Sequence, residues 1–288
     1  MPPAPGFAPR RPNPGIAGRN SSFLIPCHAL ALGATAGPFP MCCRYLLLEQ
    51  HFREILERLG VDASAEYISR YNIAPGTVVP AVRTKPRALP PRRPSGAGEP
   101  VREATGLRWG LVPSWARSDG GAKLMNARAE SVADKPSFRD ALRTRRCVIP
   151  ASGFYEWQAV GRARQPWLFR WRNESPIGLA GLWESWRAPD GTVLESCAII
   201  TTEPNELMRP IHDRMPVMLT PEQFDPWLDP HLTSPDKLAP LLRPAPAAAM
   251  SAVALDSRVN SVRHDDPACL APAGPGSGNS GPQLSLGF

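Results

Sequence analysis

A cysteine that could carry its own free amine stands at position 42, directly after Met41 and forty residues into the chain. If Cys42 becomes the first residue, one residue holds both an α-amine and a thiol. Their reference pKa values are about 8 and about 8.5, so both groups are partly nucleophilic near neutral pH. An aldehyde would condense with the amine to an imine, and the thiol would then close a five-membered thiazolidine ring. We therefore predict Cys42 as a nucleophile toward an aldehyde; the alternative is an ordinary residue that follows a leader.

Two polar side chains in the segment NARAE could act beside Cys42. Asn126 can accept a hydrogen bond from an ammonium group and donate one to a carbonyl. Arg128 offers a planar fork of donors that matches a phosphate. A turn asparagine and a surface ion pair are the common alternatives for these two residues. Both remain candidates for the site.

A carboxylate and an imidazole are the candidate proton carriers. Glu156 lies in GFYEW, where strand alternation would place it on the face of Phe154 and opposite Tyr155 and Trp157. A carboxylate buried among aromatic rings needs a cation partner or has a raised pKa, and a raised pKa suits proton transfer at neutral pH. His212, in IHDRMP, carries the side chain best matched to proton transfer near pH 7. An exposed strand glutamate and a structural histidine are the alternatives.

The composition predicts one folded domain with irregular ends. The chain has 288 residues, of which 42% are hydrophobic, and this is enough for one core. Its 36 prolines crowd residues 2–14, 86–100 and 267–282, which we interpret as a tail, a loop and a tail. The net charge is +7, and the three arginines of residues 1–40, which contain no acid, leave +4 from Met41 onward. This excess fits a polyanionic partner or ordinary solvated surface charge.

The cysteines indicate neither a metal site nor a disulfide scaffold. Six of them, at positions 27, 42, 43, 147, 197 and 269, show no paired ligand spacing. No Gly-rich phosphate loop precedes a predicted helix. We therefore expect no metal, no organic cofactor and a reduced, cytoplasmic location.

The first forty residues allow three interpretations. Residues 22–37 resemble a secretory signal, because an apolar stretch preceded by arginines ends in Ala34, Thr35 and Ala36. The stretch is too short to span a bilayer, and cleavage after Ala36 would leave Cys42 internal. We favour translation that starts at Met41, with the upstream start codon wrongly chosen, over a signal peptide. Processing of a real leader is the third alternative.

The hydrophobic pattern predicts an α+β fold, because a run of short strands is interrupted by irregular helices. Residues 46–59 show helical spacing and end at Gly60. The predicted strands are 146–150, 153–158, 166–171, 178–186, 196–202, 216–219 and 251–255, and the further predicted helices are 204–209, 221–228 and 235–242.

Several motifs in one order resemble the SRAP family of SOS response-associated peptidases, which are abasic-site sensors. They are Met41–Cys42 followed by Arg44 and Tyr45, then YNIAP, RWGLVPSW, NARAE, GFYEW and HDRMP. The resemblance implies a single SRAP-like domain over residues 41–269, with a mainly antiparallel curved or barrel-like sheet, flanking helices and a Pro/Arg-rich loop at 84–104. Residues 1–40 are then an extension and 270–288 a flexible tail. One departure is Cys43, where the family usually has glycine.

The resemblance also implies a function. Members recognise abasic sites in single-stranded DNA and join the cysteine to the ring-opened deoxyribose through a thiazolidine. Carried onto matching positions, Asn126 would hold the α-amine, Glu156 would move protons and His212 would assist sugar opening. Phosphates would be neutralised by Arg44, Arg128 and Arg214, and Trp109 would stack on an unpaired base. We expect a monomer without a membrane partner.

The last six residues, QLSLGF, resemble the short peptide by which bacterial DNA-processing proteins dock on the sliding clamp. Apolar anchors on a flexible tether suit binding in a groove. The anchors would be Gln283, Leu284, Leu286 and Phe288. A plain disordered end is the alternative.

Two other functions remain open at this point. A cysteine peptidase would use Cys42 as nucleophile and His212 as base, and it could remove its own leader. A noncovalent single-strand binder would depend on arginine and tryptophan side chains and not on Cys42.

Overall fold

The computed structural model describes residues 44–62, 66–85, 100–120 and 124–274. The predicted nucleophile Cys42, its neighbour Cys43, the extension 1–40 and the predicted clamp peptide lie outside the described residues. The strands are β1 Arg44–Leu47, β2 Arg70–Ile73, β3 Val78–Thr84, β4 Arg102–Trp109, β5 Asn126–Arg128, β6 Arg146–Ala151, β7 Gly153–Val160, β8 Ala163–Trp171, β9 Ile177–Arg187, β10 Val193–Thr202, β11 Met215–Pro216, β12 Met218–Leu219 and β13 Met250–Ala254. The α-helices are α1 Glu49–Arg58, α2 Arg139–Thr144, α3 Pro221–Leu228 and α4 Pro235–Leu238.

Five strands close into a barrel. β3 pairs with β4 and β6, β6 pairs with β9, β9 pairs with β10, and β10 returns to β4. Every pairing in this ring is antiparallel except that between β4 and β10, which is parallel. A side chain at Gly181 would meet Cys147 Sγ at 2.8 Å, so the barrel interior has room only for glycine there. The predicted α+β fold with a barrel-like core is confirmed.

A second sheet carries the beginning of the domain. Its strands follow the order β13, β8, β7, β1 and β2. β1 lies between β7 and β2, and Arg44 is opposite Tyr155 while Tyr45 is opposite Phe154. All four residues of β1 are buried, so the first described residues belong to the core and not to a loose end.

A C-terminal segment, Ser257–Leu270, folds back across β1 and β2; we refer to it as the strap. Arg44 donates hydrogen bonds to the Val259 and Asn260 carbonyls. The buried Asn72 amide donates to the carbonyls of Val259, Ser261 and His264 at 3.1, 3.0 and 2.8 Å. The strap therefore fixes the start of β1 through contacts between the two ends of the domain.

The five strands predicted between residues 146 and 202 are confirmed as β6 to β10, and the helix predicted at 221–228 is α3. The predicted helix at 204–209 is wrong: residues 206–209 form turns, because the next residue, Pro210, has no N–H with which to continue a helical ladder. The helix predicted from residue 46 begins at Glu49, because Leu46 and Leu47 pair as strand β1. Thr84 ends β3 and Arg102 begins β4, so both ends of the segment predicted as a loop at 84–104 belong to strands, and residues 86–99 lie outside the described residues.

Strands β2 to β5 and helix α2 had no counterpart in the sequence prediction. None of the helices among the described residues is long and apolar enough to cross a membrane. Likewise, the described ranges contain no cluster of three or more His, Cys, Asp or Glu side chains arranged to hold a metal ion.

Candidate functional site

Glu156 and His212 meet at the surface of the second sheet. Glu156 lies on β7 with its side chain 3% exposed, and its Oε2 atom is 3.7 Å from His212 Nε2. The imidazole is 19% exposed, so it separates the buried carboxylate from solvent. A buried acid beside a titratable base is an arrangement that can move a proton.

The position of Glu156 follows from strand geometry. Its neighbours Tyr155 and Trp157 point to the opposite face of the sheet, where Tyr155 packs under the strap. Burial raises the pKa of the Tyr155 hydroxyl, which donates to the Tyr71 carbonyl at 2.6 Å. Glu156 itself is opposite Trp167 on β8.

His212 is positioned by the turns that follow β10. Its backbone N–H donates to the Met208 carbonyl at 3.0 Å, and Gln158 on β7 donates to the Pro210 carbonyl at 3.2 Å. These contacts fasten the turn to the strand that carries Glu156. The ring atom Nδ1 accepts from the Arg214 backbone N–H at 3.1 Å and lies 3.1 Å from Asp213 Oδ1.

Asn126 and Arg128 enter the site on the short strand β5. This strand runs parallel to β10, with Asn126 opposite Ile199 and Arg128 opposite Thr201. Arg214 donates to the carbonyl of the same Thr201 at 2.7 Å. The structure therefore brings the NARAE and HDRMP motifs together at the end of β10, and it leaves the Arg128 side chain exposed.

Arg214 is held inside the protein. Its guanidinium donates to both carboxylate oxygens of Glu130 at 2.8 and 2.9 Å, and its side chain is only 11% exposed. The hydrogen bonds from Arg214 outweigh the effect of burial and hold the pKa of Glu130 below its usual value. The predicted contact of Arg214 with phosphate stays a prediction; within the fold this arginine joins two motifs of the site.

Arg44 is also occupied within the fold. It is 6% exposed, donates to the strap carbonyls, and lies 4.3 Å from the centre of the Trp157 ring. Its predicted role as a phosphate ligand also stays a prediction. Of the three predicted phosphate ligands, Arg128 is the one that the structure exposes.

Trp109 cannot stack on a base, because it is 1% exposed. Its indole packs 5.5 Å from the Tyr45 ring and donates to the Met125 carbonyl at 2.9 Å. Trp157 lies on the face of the sheet opposite Glu156, where it donates to Asn260 Oδ1 at 2.6 Å, and the exposed tryptophan of RWGLVPSW is Trp115, at 64%. The sequence analysis missed Trp115, although its place at the end of RWGLVPSW was a usable signal.

Comparisons with known proteins agree on one family. The family model of the SOS response associated peptidase (SRAP) matches residues 41–262. Abasic site processing protein YoqW of Bacillus subtilis (strain 168) is 40% identical over 232 residues, which are 79% of this chain and 97% of that protein. Abasic site processing protein HMCES of Gallus gallus is 35% identical over 191 residues, 58% of this chain and 56% of that protein.

A solved structure of a protein from Bacteroides thetaiotaomicron has the same fold. The two share 28% identity with a TM-score of 0.64, over 76% of this chain and 95% of the other. The family match also contains the two residues in contact at the site, Glu156 and His212. The chain therefore belongs to the SRAP family.

Proposed function

We propose that this protein captures abasic sites in single-stranded DNA by forming a thiazolidine between the deoxyribose aldehyde and Cys42 as the N-terminal residue. The relatives YoqW and HMCES are named abasic site processing proteins, which supports the substrate class. An abasic site is the common DNA lesion that presents a sugar aldehyde, the electrophile that suits an aminothiol.

The observation that carries this proposal is the Glu156–His212 pair beside the start of β1. Arg44 is opposite Tyr155, the neighbour of Glu156. One residue stands between Cys42 and Arg44, so chain geometry keeps their Cα atoms within about 7 Å. An aminothiol at Cys42 would thus be within reach of two proton carriers, one buried and one facing solvent.

The chemistry assigned to these groups is proton transfer. Glu156 takes a proton from the α-ammonium group, and the free amine attacks the aldehyde carbon. The resulting carbinolamine loses water when its hydroxyl is protonated, a step for which His212 is placed. The thiol then adds to the imine carbon, and the imine nitrogen takes a proton. Asn126 at the start of β5 would orient the amine by accepting a hydrogen bond.

The DNA would be held along the edge where β5 meets β10. Arg128 supplies an exposed cation for a phosphate, and the exposed Trp115 supplies an aromatic surface for a base next to the lesion. Single-stranded DNA fits this assignment, because an unpaired base can leave its stack and rest on an indole ring.

The direct test is covalent capture of an abasic oligonucleotide on a denaturing gel. The full chain and a chain that starts at Met41 would be compared, with intact mass measured for each. We expect an adduct only from molecules whose first residue is Cys42. Cys42→Ala should abolish the adduct and Cys43→Ala should retain it, so the second variant is the matched control. An adduct from molecules that keep residues 1–41 would overturn the proposal.

A second function is favoured by the family description, which names a peptidase. The chain could remove residues 1–41 itself, with Cys42 as nucleophile and His212 as base. Mass spectrometry of the full chain would then find a Cys42 N-terminus in the unchanged protein and an intact leader in Glu156→Ala. Equal processing in both would exclude self-cleavage that depends on Glu156.

We further propose that the protein acts as a cytoplasmic monomer and docks on a sliding clamp through Gln283, Leu284, Leu286 and Phe288. Deletion of residues 283–288 should abolish clamp binding and leave adduct formation intact. An unchanged clamp affinity would contradict the docking proposal alone.

A further inference from the structure

The strap contains a tight turn, residues 261–264, whose two central residues are exposed. The His264 backbone N–H donates to the Ser261 carbonyl at 3.1 Å, which closes the turn. Val262, 55% exposed, and Arg263, also exposed, are the central residues. Arginine is a common ligand of phosphate oxygens in nucleic acids, and an apolar neighbour can cover the sugar beside the phosphate.

The turn is held from beneath by Asn72, a residue of the YNIAP motif. Asn72 is 2% exposed, and its amide nitrogen donates to the carbonyls at both ends of the turn, Ser261 and His264, at 3.0 and 2.8 Å. Asp265, the next residue, accepts from the Asn72 backbone N–H at 2.9 Å. Because these contacts fix the turn before a ligand arrives, binding to its exposed side chains costs little ordering of the backbone.

Arg263 is the arginine of the strap that has no ion pair within the part of the chain that the structure describes. Arg258 pairs with Asp266 at 2.6 Å, and Arg70 on β2 pairs with Asp265. Both acids of the strap are therefore neutralised by other arginines. The charge of Arg263 is left to attract an anion from solution.

The turn lies a short distance from the proposed nucleophile. Arg44 donates to the Asn260 carbonyl at 3.0 Å, and its Cα atom is within about 7 Å of that of Cys42. Arg263 follows Asn260 by three residues, so their Cα atoms are separated by about 11 Å or less. A sugar trapped at Cys42 would thus be only a few nucleotides from the turn.

The start of β1 lies between the turn and the candidate site. The strap covers the face of the second sheet that carries Tyr155 and Trp157. Glu156 and His212 meet on the opposite face. A DNA strand that crosses the start of β1 would therefore pass the proton carriers on one face and the turn on the other.

We propose that this turn is a further contact surface for single-stranded DNA, in which Arg263 binds a phosphate on the side of the lesion opposite Arg128; the inference rests on the DNA substrate of the proposed function. Val262 covers the sugar next to that phosphate, and Asn72 is the positioning residue that holds the turn. The contact is made to the DNA backbone, so it does not depend on base sequence.

The test is the salt dependence of DNA binding by Arg263→Gln, measured by fluorescence anisotropy with a single-stranded oligonucleotide that carries a tetrahydrofuran abasic analogue. The analogue has no aldehyde, so affinity is measured apart from the covalent step. We expect the affinity to fall roughly threefold to tenfold at about 0.1 M salt. The slope of log K against log salt should become shallower by about 0.7, which corresponds to one lost phosphate contact on a single strand. Arg263→Lys should keep the slope of the unchanged protein.

The matched control is Arg139→Gln, which removes an exposed arginine on α2 and changes the net charge by the same amount. This variant should keep the slope of the unchanged protein, because it removes no phosphate contact. Urea unfolding should give the same free energy for Arg263→Gln as for the unchanged protein, since the Arg263 side chain is exposed.

A slope for Arg263→Gln equal to that of the unchanged protein, or an equal change of slope in Arg139→Gln, would overturn the proposed contact. If the unchanged protein binds the analogue but forms no adduct with an abasic oligonucleotide, covalent capture is wrong and the contact at Arg263 still stands or falls by its slope. If the unchanged protein does not bind the analogue at all, both proposals are wrong.

Discussion

Two buried ionic groups in this molecule have different roles: one stabilises the fold, and the other is arranged for proton transfer. On the barrel, Arg83 donates to Glu103 at 2.9 Å and to both oxygens of Glu195 at 2.7 and 3.0 Å, with its guanidinium 4.1 Å from the Trp183 ring centre. On the second sheet, Glu156 faces a histidine at 3.7 Å. One group is saturated with short contacts, and the other has a longer contact to a base that can lose its charge.

The difference lies in the cation. Burial opposes the charge of Arg83, but its hydrogen bonds to Glu195 and Glu103 outweigh that effect, so the pKa of Arg83 is raised. That charge is permanent and the cluster can only hold strands together. An imidazole can both take up and release a proton, so the contact of His212 with Glu156 can change as protons move. The Arg83 cluster, in which every contact is short, stabilises the fold, whereas the Glu156–His212 pair, with its longer contact, can take part in proton transfer.

The largest effect should come from Glu156→Gln. An amide cannot accept a proton, so we expect the single-turnover rate of adduct formation to fall about a thousandfold, which is about 4 kcal/mol of activation free energy. The free energy of unfolding should change by less than about 1 kcal/mol, because the replacement has the same shape. Gel assays of the adduct and urea unfolding would measure the two quantities. A large loss of stability with little loss of rate would reverse the comparison.

The next effect should come from Arg83→Met, which leaves Glu103 and Glu195 together without their cation. We expect the free energy of unfolding to fall by about 2–3 kcal/mol, at the lower end for a broken buried pair because both carboxylates are partly exposed. The triple variant with Met at positions 83, 103 and 195 should recover part of that loss. Adduct formation by folded protein should stay within twofold or so of the unchanged rate, and a tenfold drop would show that the barrel cluster is not merely structural.

The smallest effect should come from Glu130→Gln, which weakens the contact with Arg214. The pKa of Glu130 is lowered in the folded state from a reference of 4.5, so its contribution to stability is present above that value and disappears as pH falls through the folded pKa. We expect a loss below about 1 kcal/mol at neutral pH, because the carboxylate is half exposed. The difference in the free energy of unfolding between Glu130→Gln and the unchanged protein should disappear at acidic pH. The control is Glu206→Gln, at another exposed glutamate, and its free energy of unfolding should not approach that of the unchanged protein as the pH falls.

The central strands were predictable because their residues are apolar and separated by clear breaks. Strands β3 and β4 could not be predicted in this way. Pro80 interrupts the first, and the second contains Arg102, Glu103 and Arg108, whose charges are paired in the fold. The partners of these charges are distant in sequence, so a local pattern does not reveal that the strands belong to a barrel.

The residues of the candidate site could be predicted from the motifs, but which of them are exposed to solvent could not. Glu156 and His212, which were named from separate motifs, lie 3.7 Å apart. Trp109 and Arg44 had equally suggestive residue types, yet both are buried. Whether an aromatic or an arginine side chain faces DNA or the core depends on register and on the strap, and neither is encoded in a short motif.

The strap is synthesised long after the strand β1 that it holds in place. Arg44 bonds to the carbonyls of residues 259 and 260, more than two hundred positions later. At about 5–20 residues per second, a ribosome needs roughly 10–40 s to produce that distance. The start of β1 therefore spends this interval without the hydrogen bonds that hold Arg44 in the folded protein.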